Sequence, residues 1–145
     1  MRFWRLFIVS LLTAFSLPSL ASADLFVTGD ADFYPVAFRF DAVTGAYEGR
    51  FAEGIDGGTE EILGLAFGPD GDLYAAGNSL GMGEVLRYDG TTGDYVGHFV
   101  PTADHGFSRP FNITFGPDGN LYVTSNEFAS GSQTGILRYN GQTGG

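Results

Sequence analysis

The residues best equipped for chemistry stand in "VPTADHGFSRPF", positions 100–111, where Asp104, His105 and Arg109 place an acid, an imidazole and a guanidinium within six positions. An imidazole set between charges can serve as a ligand or an acid–base group, because histidine titrates near neutral pH. Asn78 opens the stretch "NSLGMG", and Asn126 with Glu127 opens "NEFASGSQTG". Amide and carboxylate oxygens at such openings suit hydrogen bonding to a ligand. Asn78, Asp104, His105, Arg109, Asn126 and Glu127 are therefore the candidate binding positions, with Glu53, Asp56, Glu60 and Glu61 as further polar members of the same set. No nucleophile beside a base and no metal-ligand spacing marks any of them as catalytic.

A second constellation is "GPDG", present at Gly68 and again at Gly116. Its acids invite a calcium reading, but Asp70 and Asp72 offer too few convergent oxygens for a calcium loop. Pro presets φ for the first central position of a turn and Asp-Gly tolerates left-handed geometry, so the motif reads as a strand-to-strand turn. The "TG" at Thr44, Thr92 and Thr143 reads the same way.

The elements that must hold these residues repeat. A step of 48 carries Gly68 to Gly116, "DLFVTGD" at Asp24 onto "DLYAAGN" at Asp72, and "RFDAVTGAYEGRF" at Arg39 onto "RYDGTTGDYVGHF" at Arg87. Short apolar or alternating runs ("LGLAF", "DLYAAG", "EVLRY", "DYVGHF") are separated by turn residues, and no helical period appears after the first residues. Four short strands in a unit of this length form the signature of a β-propeller blade. The expected fold is all-β, a propeller of four-stranded antiparallel blades with about two and a half blades present. The expected boundaries are 24–52 for a first blade holding strands B to D, 62–100 for the second, and 110–145 for a third holding strands A to C. That phase predicts the N-terminal portion of a ring of six or seven blades. Ring closure by strand donation between copies fits poorly, since the two ends duplicate strands B and C.

Hairpins alternate ends, so the "GPDG" and "DGTTG" turns share one face of the blades. The B–C loops and the crossovers between blades share the other. The second group varies in content, and variable loops on a rigid scaffold are where binding residues gather, so all six candidates fall on one working face. The recurrent Arg39, Arg87 and Arg138 are expected to make structural bonds between blades, and the recurrent aromatics (Phe26, Tyr74, Tyr122; Phe40, Tyr88, Tyr139) to form core. Asn112, in the sequon "NIT", is expected to be buried in an inner strand, and His98 lies on a strand.

Composition sets the surroundings. Arg2 and Arg5, then "LFIVSLLTAFSL", then "ASA" before Asp24 read as a secretory signal peptide over 1–23, cleaved after Ala23. Localisation is thus expected to be secreted, periplasmic or cell-surface, with no membrane attachment after cleavage. The chain has no cysteine, so a packed core must supply its stability. After cleavage seventeen acids face five arginines, a formal charge of about −12, which repels nucleic acid. No cofactor signature is present, and calcium or another divalent cation is compatible with the acidic surface.

The run "FNITFGPDGNLYVTSN…GILRYNGQTG" resembles NHL-type propeller repeats and the related propellers of the gluconolactonase and regucalcin group. For the lactonase-like members the resemblance implies a metal-binding asparagine before the glycine that opens strand A. Leu63 and Phe111 occupy the matching positions here. Quinoprotein repeats resemble "FDAVTGAYEGRF", but place tryptophan where Gly49 and Gly97 stand. The resulting expectation is a secreted propeller acting as a binding or interaction scaffold for an extracellular protein, glycan or small molecule. A metal-dependent hydrolase of the lactonase or phosphotriesterase type is the alternative.

Overall fold

A computed structural model of the chain describes residues 24–100, 109–125 and 135–145, so the expected signal peptide lies outside the described residues. Ten strands follow in order: β1 (Asp24–Ala31), β2 (Tyr34–Asp41), β3 (Tyr47–Glu53), β4 (Glu61–Phe67), β5 (Leu73–Ser79), β6 (Met82–Tyr88), β7 (Tyr95–Val100), β8 (Pro110–Phe115), β9 (Leu121–Ser125) and β10 (Gly135–Tyr139). A short 3-10 helix, Gly54–Gly57, connects β3 towards β4. The strands form three antiparallel sheets, β1-β2-β3, β4-β5-β6-β7 and β10-β9-β8. This is a partial β-propeller.

The repeat seen in the text is a repeat in geometry. The β2–β3 ladder breaks register between Ala37 and Phe38 and between Arg39 and Phe40, and β6–β7 breaks 48 residues later, between Val85 and Leu86 and between Arg87 and Tyr88. The β4–β5 and β8–β9 ladders share a break as well, at Ile62/Gly64 and Pro110/Asn112. Each bulge adds local twist to its strand.

The core lies between the sheets, and β5 shows why this sequence can be apolar without alternation. Leu73 and Ala75 point towards the first sheet, where they pack with Ala37 and Ala52, and Ile62 of their own sheet joins the same cluster. Tyr74 and Ala76 point the other way, packing with Ile113, Leu121, Val123 and Tyr139 of the third. A strand covered on both faces has no solvent side to mark with polar residues. Full burial of a leucine such as Leu73 is worth roughly 1.5–3 kcal/mol.

The turns lock sheet to sheet. Gly93 has φ +80, and a Cβ there would stand 1.8 Å from the Phe51 carbonyl oxygen of the first sheet. Gly144, with φ +74, meets the Phe99 oxygen of the second sheet in the same way, at 1.9 Å. Only glycine satisfies both demands.

Two expectations change. The recurrent arginines bond within a sheet, not between sheets: Arg87 Nε lies 2.6 Å from Asp72 Oδ2, and Arg39 Nη2 lies 2.6 Å from Asp24 Oδ2. The reason is register: Arg87 pairs with Tyr74, two residues from Asp72, and Arg39 pairs with Phe26, two residues from Asp24. Asn112 is exposed, because its strand β8 stands at the edge of the third sheet. Of the recurrent aromatics, Tyr74, Tyr88 and Tyr139 are buried, whereas Phe26, Phe40 and Tyr122 are half-buried.

Candidate functional site

The "GPDG" face is closed upon itself. Gly71 N–H donates to the Gly68 carbonyl at 3.0 Å, and Asp72 N–H donates to Asp70 Oδ1 at 3.2 Å. Asp70 Oδ2 accepts from the Tyr74 hydroxyl at 2.8 Å and pairs with Arg87 at 2.9 Å. Asp89 Oδ1 accepts from the backbone of Thr91 and Thr92, both at 2.8 Å, and the Thr92 bond leads in holding this carboxyl below its usual range. Asp118 is held low too, first by the Asn120 side-chain amide at 2.8 Å. Oxygens so engaged organise turns.

The opposite face is built differently. Asp32 and Phe33, with φ of 55° and 72°, form the tip of the β1–β2 hairpin between paired Ala31 and Tyr34. Leu80 and Gly81, with φ of 51° and 78°, form the tip of β5–β6 between Ser79 and Met82. Two-residue loops with both φ positive follow the right-handed twist of the strands and favour Asn-Gly. Phe33 and Leu80 break that preference, and both project into solvent, Phe33 completely and Leu80 at 80%. The stretch "NSLGMG", expected as a loop, is mostly strand, with only its tip turning.

Beside the first of these tips opens a cleft of about 260 Å³, lined by Phe33, Tyr34, Pro35, Gly58, Thr59 and Glu60. Its floor is tied to the second sheet: Glu60 N–H donates to the Asn78 carbonyl at 2.8 Å, Thr59 Oγ1 donates to the same carbonyl at 3.0 Å, and Ser79 Oγ donates to Gly58 O at 3.2 Å. Glu60 Oε2 accepts from Leu80 N–H at 3.3 Å, which sets its carboxylate beside the second tip.

Asn78 continues this ledge towards the third sheet. Its Nδ2 donates to Glu61 Oε2 at 3.4 Å, and Arg109 Nη2 approaches the same oxygen at 3.7 Å. Asn78 is only 8% exposed, and its Oδ1 has no hydrogen-bond donor. Of the six sequence candidates the structure thus brings Asn78 and Arg109 together through Glu61. Asp104, His105, Asn126 and Glu127 lie outside the described residues. Of the wider set, Glu60 and Glu61 join the ledge, Asp56 is exposed on the 3-10 helix, and Glu53 approaches Arg50 at 3.7 Å.

One group escaped the sequence reading. Glu84 on β6 is fully buried, and its Oε2 stands 3.1 Å from His98 Nδ1 on β7, with neither carboxylate oxygen receiving a well-formed hydrogen bond. Burial raises its pKa above the usual carboxylate value, and Thr59 and His98 pull it back only in part. Gly77 lies opposite, where a Cβ would come within 2.6 Å of Thr59 Oγ1. Thr59 therefore lines the cleft on one side and neighbours Glu84 on the other.

No protein-family model matches the sequence, and no match is found among curated proteins. Among solved structures, the PQQ-bound aldose sugar dehydrogenase of Streptomyces coelicolor is similar, with a TM-score of 0.55 and 27% identity over 84% of this chain. The chain spans 43% of the length of that enzyme. The likeness supports the propeller fold.

Proposed function

We propose that this chain is an extracytoplasmic propeller segment that binds ligands on the face of hairpin tips and crossovers, and that its ligand is a neutral polyhydroxylated ring of the sugar class. The carrying observation is the cleft at Phe33, which is lined both by a fully exposed aromatic on a strained tip and by Glu60. Strain of that kind persists where the surrounding structure enforces it, and it gathers at ligand clamps. An aromatic face suits the C–H face of a sugar ring, and carboxylate and amide oxygens suit its hydroxyls. Export rests on the basic, apolar and small-residue order of 1–23, and the kinship to NHL-type or lactonase-like repeats rests on sequence motifs.

The similar dehydrogenase makes a PQQ-dependent oxidoreductase the reading to weigh against this one. PQQ is a tricarboxylate and calls for converging cations. On this face the described residues supply Arg50, already paired with Asp32 and Glu53, and Arg109, facing Glu61. They do not fit a trianion, and no group of three His, Cys, Asp or Glu side chains suited to a metal occurs among the described residues. The lactonase alternative gains no support at Leu63 or Phe111. Calorimetric titration of the full chain with neutral aldoses, with PQQ and with calcium tests the proposal. Aldose binding that Phe33→Ala weakens supports it, whereas PQQ binding with no aldose binding overturns it.

A further inference from the structure

Among the described residues Glu84 is the one fully buried carboxylate, and neither of its oxygens receives a well-formed hydrogen bond. An ionised carboxylate taken out of water without donors is strongly disfavoured, so this group either keeps its proton or draws a donor towards it. The groups around it are few. From β7 come His98, with Nδ1 3.1 Å from Oε2, and Tyr95, edge-on to the His98 ring. Tyr88 on β6 spends its hydroxyl on the Glu53 carbonyl at 3.2 Å, and the 3-10 helix adds Asp56 beyond it. β5 sets Gly77 opposite, and the first sheet meets this side of β5 and β6 with Ala37 and Ala52. Glu60 turns its carboxylate to Leu80 N–H, and its neighbour Thr59 supplies the remaining donor, a hydroxyl.

Thr59 has one hydroxyl proton and three acceptors for it. Its Oγ1 lies 3.0 Å from the Asn78 carbonyl oxygen and 3.0 Å from that of Glu61, and Glu84 is the third. The Asn78 carbonyl also accepts from Glu60 N–H at 2.8 Å, so it keeps a donor when Thr59 turns away. With Glu84 protonated, its O–H is free to donate to Thr59 Oγ1, which donates onward to β5, and the chain of bonds is complete. With Glu84 ionised, the carboxylate draws the Thr59 proton to itself, because bonds to a charged acceptor are the stronger ones. The tie from Thr59 to β5 is then lost. His98, whose side chain is 42% exposed, gives the proton a way to solvent.

We propose that Glu84 is a proton switch for the cleft: its protonation state sets the direction of the Thr59 hydroxyl, and so whether that hydroxyl ties the floor of the cleft to β5. Burial places the change above the ordinary carboxylate value of 4.5. The consequence for a ligand rests on the sugar reading: an aldose seated on the tied floor binds less tightly once Glu84 ionises. By linkage, bound aldose makes Glu84 hold its proton to higher pH.

Nuclear magnetic resonance of the full chain without ligand, from about pH 4 to 9, tests the switch through the Glu84 carboxyl carbon, the Thr59 amide and the Asn78 carbonyl carbon. In the wild type the Thr59 and Asn78 signals should follow the Glu84 carboxyl along one titration curve. Glu84→Gln, of the same shape and with no proton to lose, should hold both still. Thr59→Val should let Glu84 titrate while Asn78 no longer follows. Aldose affinity in the wild type should fall about three- to tenfold along the same curve, the scale of one hydrogen bond, and in Glu84→Gln it should stay level. Signals at Thr59 and Asn78 that ignore the Glu84 titration, or that persist in titrating in Glu84→Gln, overturn the switch, as does aldose binding of equal strength across the curve in the wild type. The shifts are read without ligand, so shifts that behave as expected in a chain that binds no aldose support the switch and overturn the sugar reading alone.

Discussion

His98 and Glu84 face each other across β6 and β7, with Nδ1 3.1 Å from Oε2, the histidine partly exposed and the glutamate side chain fully buried. Burial raises Glu84 above its ordinary value of 4.5, so in the window above that value the folded chain keeps a proton that the unfolded chain has released. Stability from this group is complete below the ordinary value and is lost as pH climbs through the raised one. Melting temperature should fall across that window in the wild type, and Glu84→Gln should remove that part of the slope. His98→Gln, which deletes the partner that pulls the pKa down, should carry the loss to higher pH. Parallel melting-temperature profiles for wild type and Glu84→Gln would contradict this.

Phe33 is expected to separate stability from binding. Its φ of 72° is a left-handed conformation, which costs a residue with a Cβ roughly 1–2 kcal/mol. Phe33→Gly should raise stability in urea unfolding by about 1 kcal/mol, while weakening sugar affinity about tenfold or more, the scale of a lost aromatic anchor. A variant that loses stability, or that keeps full affinity, contradicts the clamp.

Gly93 and Gly58 share positive φ, 80° and 75°, but a Cβ at Gly58 meets nothing within 4 Å whereas one at Gly93 meets Phe51 O. Gly58→Ala should cost about 1 kcal/mol from the backbone alone. Gly93→Ala should cost clearly more, because the clash forces the first two sheets apart. Equal losses on denaturant unfolding would show that the turn does not clamp the sheets.

The repeat made the fold legible, and the reason is physical. Turn residues such as Gly71 and Asp89, and buried strand residues such as Leu73, are dictated by geometry that recurs in every blade, so their spacing carries the architecture. The features of the candidate site are those that do not recur. Glu84 has Val36 and Gly135 at its equivalent positions, so nothing in the repeat announced it. The tips at Phe33 and Leu80 lacked the Asn-Gly text of a two-residue hairpin, which concealed both the turn and the exposed side chains. Asn78 and Arg109 were legible as loop-face residues, but the Glu61 that joins them was only one acid among many. The arginines misled because a repeated position fixes that a bond recurs without saying which side of the strand it takes.

Arg87 joins Asp70 and Asp72 and lies over the Tyr74 ring at 5.8 Å. Lysine keeps the charge but cannot reach both carboxylates with one planar fork. Arg87→Lys should lower stability by about 1 kcal/mol, the scale of a charge-assisted hydrogen bond at a partly exposed site, while aldose binding on the opposite face is unchanged. Lost binding in a folded Arg87→Lys protein would place the ligand at the wrong end of the blades.

The division of the blades into a turn face closed by its own hydrogen bonds and a working face left open is tested most directly by mapping a bound sugar. In a titration of the isotope-labelled chain with a neutral aldose, followed by amide chemical shifts, the perturbed residues should be 33–35, 58–61 and 78–80, together with Arg109. The turns around Asp70, Asp89 and Asp118 should be still. Perturbation centred on those turns, or no saturable shift with any aldose, contradicts the account.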